Sequence, residues 1–135
     1  MFKDQVFVLL GHNGAGKTTL MNIMGGLHAP TSGQAEINGY DCEQDMAAIR
    51  QALRVCPQHD VLYEQLTVIE HVRLFAALKG VPQAQIQTQA EKWLGKVGLM
   101  EKLMAMADTL SGGQKRRLSV ALAMIGDPSV VMLDE

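Results

Sequence analysis

The glycine-rich segment GHNGAGKT, Gly11 to Thr18, contains the residues of this chain that are best suited to phosphate chemistry. It fits the pattern G-x-x-x-x-G-K-[ST] and lies between a predicted strand and a predicted helix, the context that the pattern requires. Its glycines let successive backbone N–H groups turn towards a phosphate, and the helix N-terminus adds positive potential. Lys17 would reach the β- and γ-phosphates, and the Thr18 hydroxyl could bind Mg²⁺. The alternative is a plain glycine-rich turn, which the lysine and threonine in this context disfavour.

A second segment, SVVMLDE, supplies two carboxylates directly after an apolar run. Val130–Leu133 is predicted to be a buried strand of a parallel sheet, so Asp134 and Glu135 would lie at the edge where α/β sheets bind ligands. Asp134 could hold Mg²⁺ through its water shell, and Glu135 could orient or deprotonate an attacking water. Taken alone, a plain polar strand end is the better interpretation, and only the phosphate loop in the same chain reverses that preference.

A third segment, LSGGQ, predicts a second anion-binding helix end. Ser111 is expected to cap a helix whose first turn contains two glycines and therefore exposes its N–H groups. Three basic residues follow at positions 115–117, where the helix dipole disfavours cations unless an anionic partner offsets it. The alternative is a flexible cap with solvated charges.

Gln58 follows another predicted strand, in the segment CPQHD. Its amide could bind the metal or contact the attacking water. On its own this is weak, and a solvated loop glutamine is the better interpretation. The four histidines show no metal-ligand spacing, so we expect them to be structural or surface residues.

Local patterns predict an α/β fold interrupted by helices. The segment 59–109 reads as helical throughout, with a capping box formed by Thr67 and Glu70, and we expect it to be a helical subdomain. The flanking segments 1–58 and 110–135 would form the α/β core. Further predicted elements are a strand at Gln5–Leu10, a helix at Lys17–Met24, a hairpin turn at Asn38-Gly39, and a helix after Ser111 that ends near Gly126 and Pro128.

Composition excludes several classes of protein. The chain has 135 residues, 47% of them hydrophobic, which suits one globular domain. The net charge of −2 gives no basic field for nucleic acid, and the two cysteines indicate neither a zinc site nor a disulfide framework. No apolar run approaches the ~20 residues that cross a bilayer.

Four motifs in this order resemble those of one family. GHNGAGKTT, CPQ, LSGGQ and VVMLDE look like the Walker A, Q-loop, signature and Walker B motifs of an ABC-type ATPase, the nucleotide-binding domain of ABC transporters. The resemblance covers essentially the whole chain and implies a P-loop NTPase fold of the ABC type. The amino-acid sequence around and between the motifs is similar to that of the A subfamily of eukaryotic ABC proteins, which are mostly lipid exporters.

The resemblance implies a role for each motif residue. ATP and Mg²⁺ are the implied ligands, and two domains are expected to dimerise head to tail so that the signature of one contacts the ATP of the other. Lys17, Gln58 and Glu135 would be catalytic, and Thr18, Gln58 and Asp134 would hold the metal. The implied nucleotide-binding residues are Asn13, Gly14, Ala15, Gly16, Lys17, Thr18 and Thr19, with Ser111, Gly113 and Gln114 acting on a partner's nucleotide.

We therefore expect ATP hydrolysis that drives transport, on the cytoplasmic side of a membrane, with a transmembrane domain as partner and no nucleic acid. The adenine-stacking aromatic, the D-loop and the switch histidine of the family would fall outside positions 1–135, so we expect an incomplete domain that is inactive in isolation. Two alternatives stay open. One is a soluble ABC ATPase acting on nucleic acid or ribosomes, although only a few dozen residues separate Gln58 from Ser111, too few for coiled-coil arms. The other is a non-catalytic ATP-binding fragment.

Overall fold

A computed structural model describes residues 5–134 and divides the chain into two units, Met1–Ile49 and Arg50–Glu135. The first unit contains helix α1 (Lys17–Met24) and a two-stranded antiparallel sheet, and helix α2 runs across the boundary between the units. The elements of this part are α1, Lys17–Met24; β1, Glu36–Ile37; β2, Tyr40–Asp41; and α2, Met46–Ala52. The predicted helix at Lys17–Met24 is confirmed with the same bounds.

The hairpin between β1 and β2 is also confirmed. Ile37 pairs with Tyr40, so the connection is the two residues Asn38 and Gly39. Both have positive φ, at 54° and 78°. Two consecutive residues in the left-handed region match the twist of the flanking strands, which is why an Asn-Gly pair predicts this turn.

The predicted strand at Gln5–Leu10 is wrong. The structure has no strand there, and the apolar side chains of the segment are exposed, with Val6 94% and Leu10 83% accessible. Among residues 5–134 the strands pair only as β1 with β2 and as two strands of the second unit, so this segment has no partner. An extended segment without a partner leaves its backbone N–H and C=O groups unpaired by any ladder. The apolar composition of the segment favours a strand, but it does not indicate whether a neighbouring strand is present to pair with it.

The second unit is built on one parallel strand pair, β3 (Leu53–Cys56) and β4 (Val130–Leu133). The register runs from Leu53 opposite Val130 to Cys56 opposite Leu133, so both strands end at the same edge. The predicted parallel strand at 130–133 is thus confirmed. Its predicted burial is not, because Val130, Val131 and Met132 are only half-buried and Leu133 is 55% exposed. Two strands cover each other along one edge only, which leaves β4 partly open.

Three helices complete the second unit. They are α3, Val68–Leu78; α4, Ile86–Lys96; and α5, Gly112–Met124, with 3-10 turns at Gln83–Gln85, Met100–Lys102 and Ala107–Thr109. The capping box predicted for α3 is present, since the Thr67 hydroxyl accepts from the Glu70 N–H and the Glu70 carboxylate accepts from the Thr67 N–H. The Thr67 N–H and the Thr67 hydroxyl both donate to the exposed Glu70 carboxylate, and these two hydrogen bonds hold the pKa of that carboxyl below its usual value. No helix among residues 5–134 is long and apolar enough to cross a bilayer.

The three helices share one hydrophobic core, and α5 also packs on β3. Leu94 of α4 and Leu118 of α5 are fully buried in this core. Its buried members are Val68, Ile69, Val72, Ala76, Ala90, Leu94, Leu99, Leu110, Leu118, Ala121, Leu122 and Ile125. Helix α5 therefore joins the helical layer to the strand pair. The expected division into an α/β core at 1–58 and 110–135 and a helical subdomain at 59–109 stays a prediction.

His71 is a buried polar residue whose two ring nitrogens both have partners. Its Nε2 accepts a hydrogen bond of 2.9 Å from the Tyr63 N–H, and its Nδ1 lies 2.9 Å from the Thr67 carbonyl oxygen. This pattern fits a neutral ring with the proton on Nδ1, because Nε2 must accept. The expectation of a structural histidine agrees with these contacts, which connect the Tyr63 backbone to α3.

Lys79 forms hydrogen bonds at the C-terminal end of α5. Its ammonium donates to the carbonyl oxygens of Leu122, Ala123 (3.1 Å) and Ile125 (3.3 Å). These carbonyls belong to the helix end, where the backbone has no further intrahelical donors. Burial, with a contribution from the Arg54 charge, lowers the pKa of Lys79 to about 8. The C-terminus of α5 is thus fixed by the side chain of the residue that directly follows α3.

We predict that Leu118→Ala lowers the free energy of unfolding by about 2–5 kcal/mol, because Leu118 is fully buried and its truncation leaves a cavity. Leu78→Ala is the matched control. Its side chain is 74% exposed, so its effect should stay within about 0.5 kcal/mol. Urea unfolding followed by circular dichroism measures both. Equal losses for the two variants would contradict the core described for α5.

Candidate functional site

The phosphate-loop segment of the first unit combines left-handed glycines with an inward lysine. Gly14 and Gly16 have φ of 82° and 90°, conformations that residues with a Cβ rarely adopt. The Lys17 ammonium donates to the carbonyl oxygens of Gly11 at 2.7 Å and His12 at 3.2 Å. The ammonium is therefore folded back over the loop, and the loop is closed by a turn in which the Ala15 N–H donates to the His12 carbonyl at 3.1 Å.

Helix α1 begins directly after this loop. Gly16 occupies its N-cap position, so no side chain caps the helix, and Lys17, Thr18 and Thr19 form its first turn. The predicted nucleotide-binding residues of this segment thus lie in two kinds of backbone. Asn13, Gly14, Ala15 and Gly16 are in the turn, while Lys17, Thr18 and Thr19 are helical. An uncapped helix start preceded by left-handed glycines is a backbone arrangement suited to anions.

The edge of the strand pair carries the other predicted site residues. Gln58 follows β3 by two positions, and Asp134 follows β4 directly. The Asp134 N–H donates to the Cys56 carbonyl at 2.9 Å, which extends the parallel pairing by one residue. The sequence predicts each residue at a strand end, and the structure shows that these two strands are neighbours. Glu135, the predicted catalytic base, lies outside the described residues.

Cys56, at the end of β3, is buried beside these strand ends. Burial raises the pKa of its thiol, the nearby Arg116 charge opposes this, and Asp60 adds to it. A buried thiol with a raised pKa stays protonated and unreactive near neutral pH. We therefore do not expect the Cys56 thiol to take part in chemistry at this edge.

Arg116 is a contact at this edge that sequence reasoning missed. Its Nη1 donates to the Pro57 carbonyl at 2.6 Å, and its Nη2 donates to the Asp134 carbonyl. It also forms an ion pair with Asp60, with 3.6 Å between Nη1 and Oδ1. The available signal was three cations early in a helix, which called for a compensating anion. Asp60 is that anion for Arg116. The backbone carbonyls that accept from Arg116 could not be predicted, because every residue has a carbonyl and none is distinguished by residue type.

The signature segment caps α5 as predicted. The Ser111 hydroxyl accepts from the Gln114 N–H at 3.3 Å, and the Gln114 amide oxygen accepts from the Ser111 N–H at 2.8 Å. A Cβ added at Gly112 or Gly113 would have no heavy atom within 4 Å. Packing within the described chain therefore does not require either glycine, and both lie on an exposed surface.

The structure brings together the ends of β3 and β4 and the early turns of α5, all within the second unit. The phosphate loop belongs to the first unit. Residues 5–134 contain no group of three or more His, Cys, Asp or Glu side chains that could hold a metal ion alone.

Comparison with known sequences gives a match to the ABC transporter family over residues 1–135. The chain is 47% identical to "Phospholipid-transporting ATPase ABCA3" of Rattus norvegicus, over 100% of the chain and 8% of that protein. It is 46% identical to "ABC transporter A family member 2" of Dictyostelium discoideum with the same coverage. It is 48% identical to "Retinal-specific phospholipid-transporting ATPase ABCA4" of Homo sapiens, over 99% of the chain and 6% of that protein. The chain thus spans less than a tenth of the length of these relatives.

Solved structures show the same fold. "Structure of ATP binding subunit of ABC transporter" superposes with a TM-score of 0.81 at 32% identity, covering 93% of this chain and 52% of that chain. The structure of cbiO1 from Clostridium perfringens, part of the ABC transporter complex cbiONQ, gives a TM-score of 0.81 at 26% identity with the same coverage. The mixed helices and strands described above are therefore a partial P-loop NTPase fold of the ABC type. The chain belongs to the ABC transporter family, and its residues are part of the nucleotide-binding ATPase domain of that family.

Proposed function

We propose that this chain binds and hydrolyses ATP to drive the transport of lipid, as part of a larger membrane transporter. The observation that carries the ATP assignment is the loop of Gly11–Thr18, with two left-handed glycines, an uncapped helix start and an ammonium bonded across its carbonyls. The names of the relatives support the transported class, because two of them are phospholipid-transporting ATPases. The substrate and the whole transporter remain proposals, since the chain covers 8% and 6% of those proteins.

Phosphate binding is assigned to the loop and the first turn of α1. The backbone N–H groups would face the phosphates, and the Lys17 ammonium would exchange its carbonyl partners for the β- and γ-phosphate oxygens. That exchange favours phosphate because a charge-assisted hydrogen bond to an anion is stronger than one to a neutral carbonyl. The residues proposed to hold the nucleotide here are Asn13, Gly14, Ala15, Gly16, Lys17, Thr18 and Thr19.

Mg²⁺ is the metal that fits the donors assigned to it. Thr18 offers a hydroxyl, Gln58 an amide oxygen and Asp134 a carboxylate, and hard oxygen donors are the set that Mg²⁺ prefers. When bound, the ion would neutralise charge on the phosphates. The parallel pairing of β3 and β4 supports the shared role of the last two residues, because it carries them on adjacent strand ends.

The catalytic roles follow from charge and position. Glu135, next to Asp134, would accept a proton from the attacking water, and Gln58 would orient that water or contact the metal. Lys17 would stabilise charge that develops on the transferred phosphoryl group. In these assignments the orienting amide of Gln58 belongs to the segment that follows β3, and the base, Glu135, belongs to the segment that follows β4.

A second ATPase domain is the partner proposed for the signature. Ser111, Gly113 and Gln114 would contact the nucleotide of that partner, in a head-to-tail dimer. Support comes from the exposed start of α5, where neither glycine is required by packing within the described chain. A helix start without bulky side chains lets a phosphate approach its N–H groups closely.

A transmembrane domain is the proposed partner for the chain that leads from Gln58 into α3. Val61 and Tyr63 are exposed apolar side chains in this segment, at 59% and 55%. The segment begins at a proposed catalytic residue, and its Tyr63 N–H donates to His71 of α3. Displacement of the segment would therefore be transmitted to the strand edge. We place the domain on the cytoplasmic side of the membrane and propose no nucleic-acid partner.

Lys17→Ala is predicted to weaken ATP binding by about 2 kcal/mol or more, because it removes a charged hydrogen bond to the phosphates. Binding of labelled ATP to the full-length protein containing this chain provides the measurement. Lys102→Ala is the control, since Lys102 is also a lysine but lies exposed in a 3-10 turn. Equal affinities for wild type and Lys17→Ala would argue against the phosphate loop.

Glu135→Gln is predicted to slow hydrolysis by about 10²–10⁴-fold while ATP binding persists, because the amide keeps the shape of the side chain and cannot accept the proton. Phosphate release under single-turnover conditions measures the rate. Glu101→Gln, an exposed position, should hydrolyse like wild type. Unchanged hydrolysis in Glu135→Gln would remove Glu135 from the mechanism.

A photo-cross-linking residue at position 61 or 63 of the full-length protein is predicted to capture a cytoplasmic loop of the transmembrane part. The same residue at position 104, where Met104 is 78% exposed, should not. Mass spectrometry of the cross-linked peptides identifies the partner. Capture of only soluble proteins, nucleic acid or ribosomes would support a soluble ABC ATPase instead.

A further inference from the structure

One side chain from the signature helix holds both strand ends. Arg116 lies in the second turn of α5, and its guanidinium donates from Nη1 to Pro57 O at 2.6 Å and to Gln58 O at 3.5 Å. Its Nη2 donates to Asp134 O. The acceptors are the backbone carbonyls of the segments whose side chains are proposed to hold metal and orient water, so these hydrogen bonds of Arg116 fix the backbone.

The charge of Arg116 is balanced locally. Its Nη1 lies 3.6 Å from Asp60 Oδ1, and the two side chains are only 32% and 24% exposed. A cation near a helix N-terminus opposes the helix dipole, so this position needs compensation from acceptors. Asp60 and three carbonyl oxygens provide it. Partial burial reduces screening of the pair by solvent, which favours a fixed geometry.

The neighbouring cations do not duplicate this contact. Arg117 donates instead to the Val97 carbonyl at 2.9 Å, at the end of α4. The contact also depends on arginine itself, because a planar guanidinium presents several N–H donors in fixed directions and a lysine ammonium does not. The carbonyls of Pro57 and Asp134 are reached by two different nitrogens of the same group.

We propose that Arg116 is a positioning residue for ATP hydrolysis, which holds the segments that carry Gln58 and Asp134 at a fixed separation against α5. The inference rests on the proposed function of the chain. Arg116 donates to the backbone carbonyls of these segments and pairs with the Asp60 carboxylate, so it would act on the reaction by positioning Gln58 and Asp134. Loss of its fork would let the two strand ends move apart, which would weaken metal binding and misalign the attacking water while the phosphate loop still bound nucleotide.

The test compares Arg116→Ala and Arg116→Lys with wild type in the full-length protein. Arg116→Ala should lower kcat by roughly tenfold or more, because small misplacements at a reacting centre are costly, while KM for ATP changes less than about twofold. The Mg²⁺ concentration for half-maximal hydrolysis should rise several-fold. Arg116→Lys retains the charge without the fork and should recover only part of the rate. Arg73→Ala, which removes an exposed arginine from α3, should behave like wild type.

Two further readouts separate the possible failures. If Arg116→Ala and Arg116→Lys lower the unfolding temperature but leave kcat and the Mg²⁺ dependence unchanged, Arg116 is structural only and the inference is overturned. Wild-type kinetics in Arg116→Ala would overturn it as well, with the proposed function intact. If wild type hydrolyses no ATP, or Lys17→Ala hydrolyses it equally fast, the proposed function and this inference fall together.

Discussion

The parallel pairing of β3 with β4 is the constraint on which the second unit depends. Its register brings Cys56 opposite Leu133, and the Asp134 N–H continues the pairing to the Cys56 carbonyl. Both strands therefore end at one edge of the sheet, where Gln58 follows β3 by two positions and Asp134 follows β4 directly. The two segments are far apart in sequence, so the ladder itself must supply the proximity that their proposed chemistry requires. A shift of one residue in this register would turn every side chain of β4 to the opposite face.

Helix α5 makes that edge part of a larger unit. Its start is closed by the reciprocal Ser111–Gln114 hydrogen bonds, its end is bonded by Lys79, and its buried face packs in the core with α3 and α4. From this fixed helix Arg116 reaches the backbone that follows both strands. A helix whose first turn is proposed to contact one nucleotide thus also holds the strand ends proposed to act on another. The physical link between the two sites is a single short helix and one guanidinium.

Local signals predicted local structure well. The Asn38-Gly39 turn, the capping box at Thr67 and the N-cap at Ser111 each depend on residues within a few positions of one another. Long-range structure was less accessible to sequence. The apolar run at Gln5–Leu10 has the composition of a strand, but composition does not create a partner, and the segment is unpaired by any strand of the described chain. The contacts of Arg116 were missed because backbone carbonyls carry no residue signature.

The measurement that bears most directly on the joined strand ends is hydrogen exchange at the Asp134 amide, resolved to single residues by mass spectrometry of the full-length protein. The hydrogen bond from this amide to the Cys56 carbonyl predicts protection close to that of the core of α5, on the order of a hundredfold or more over unstructured chain. Exchange at the rate of an unstructured peptide, while the amides of α5 stay protected, would show that the two strand ends are not held together and would contradict this account.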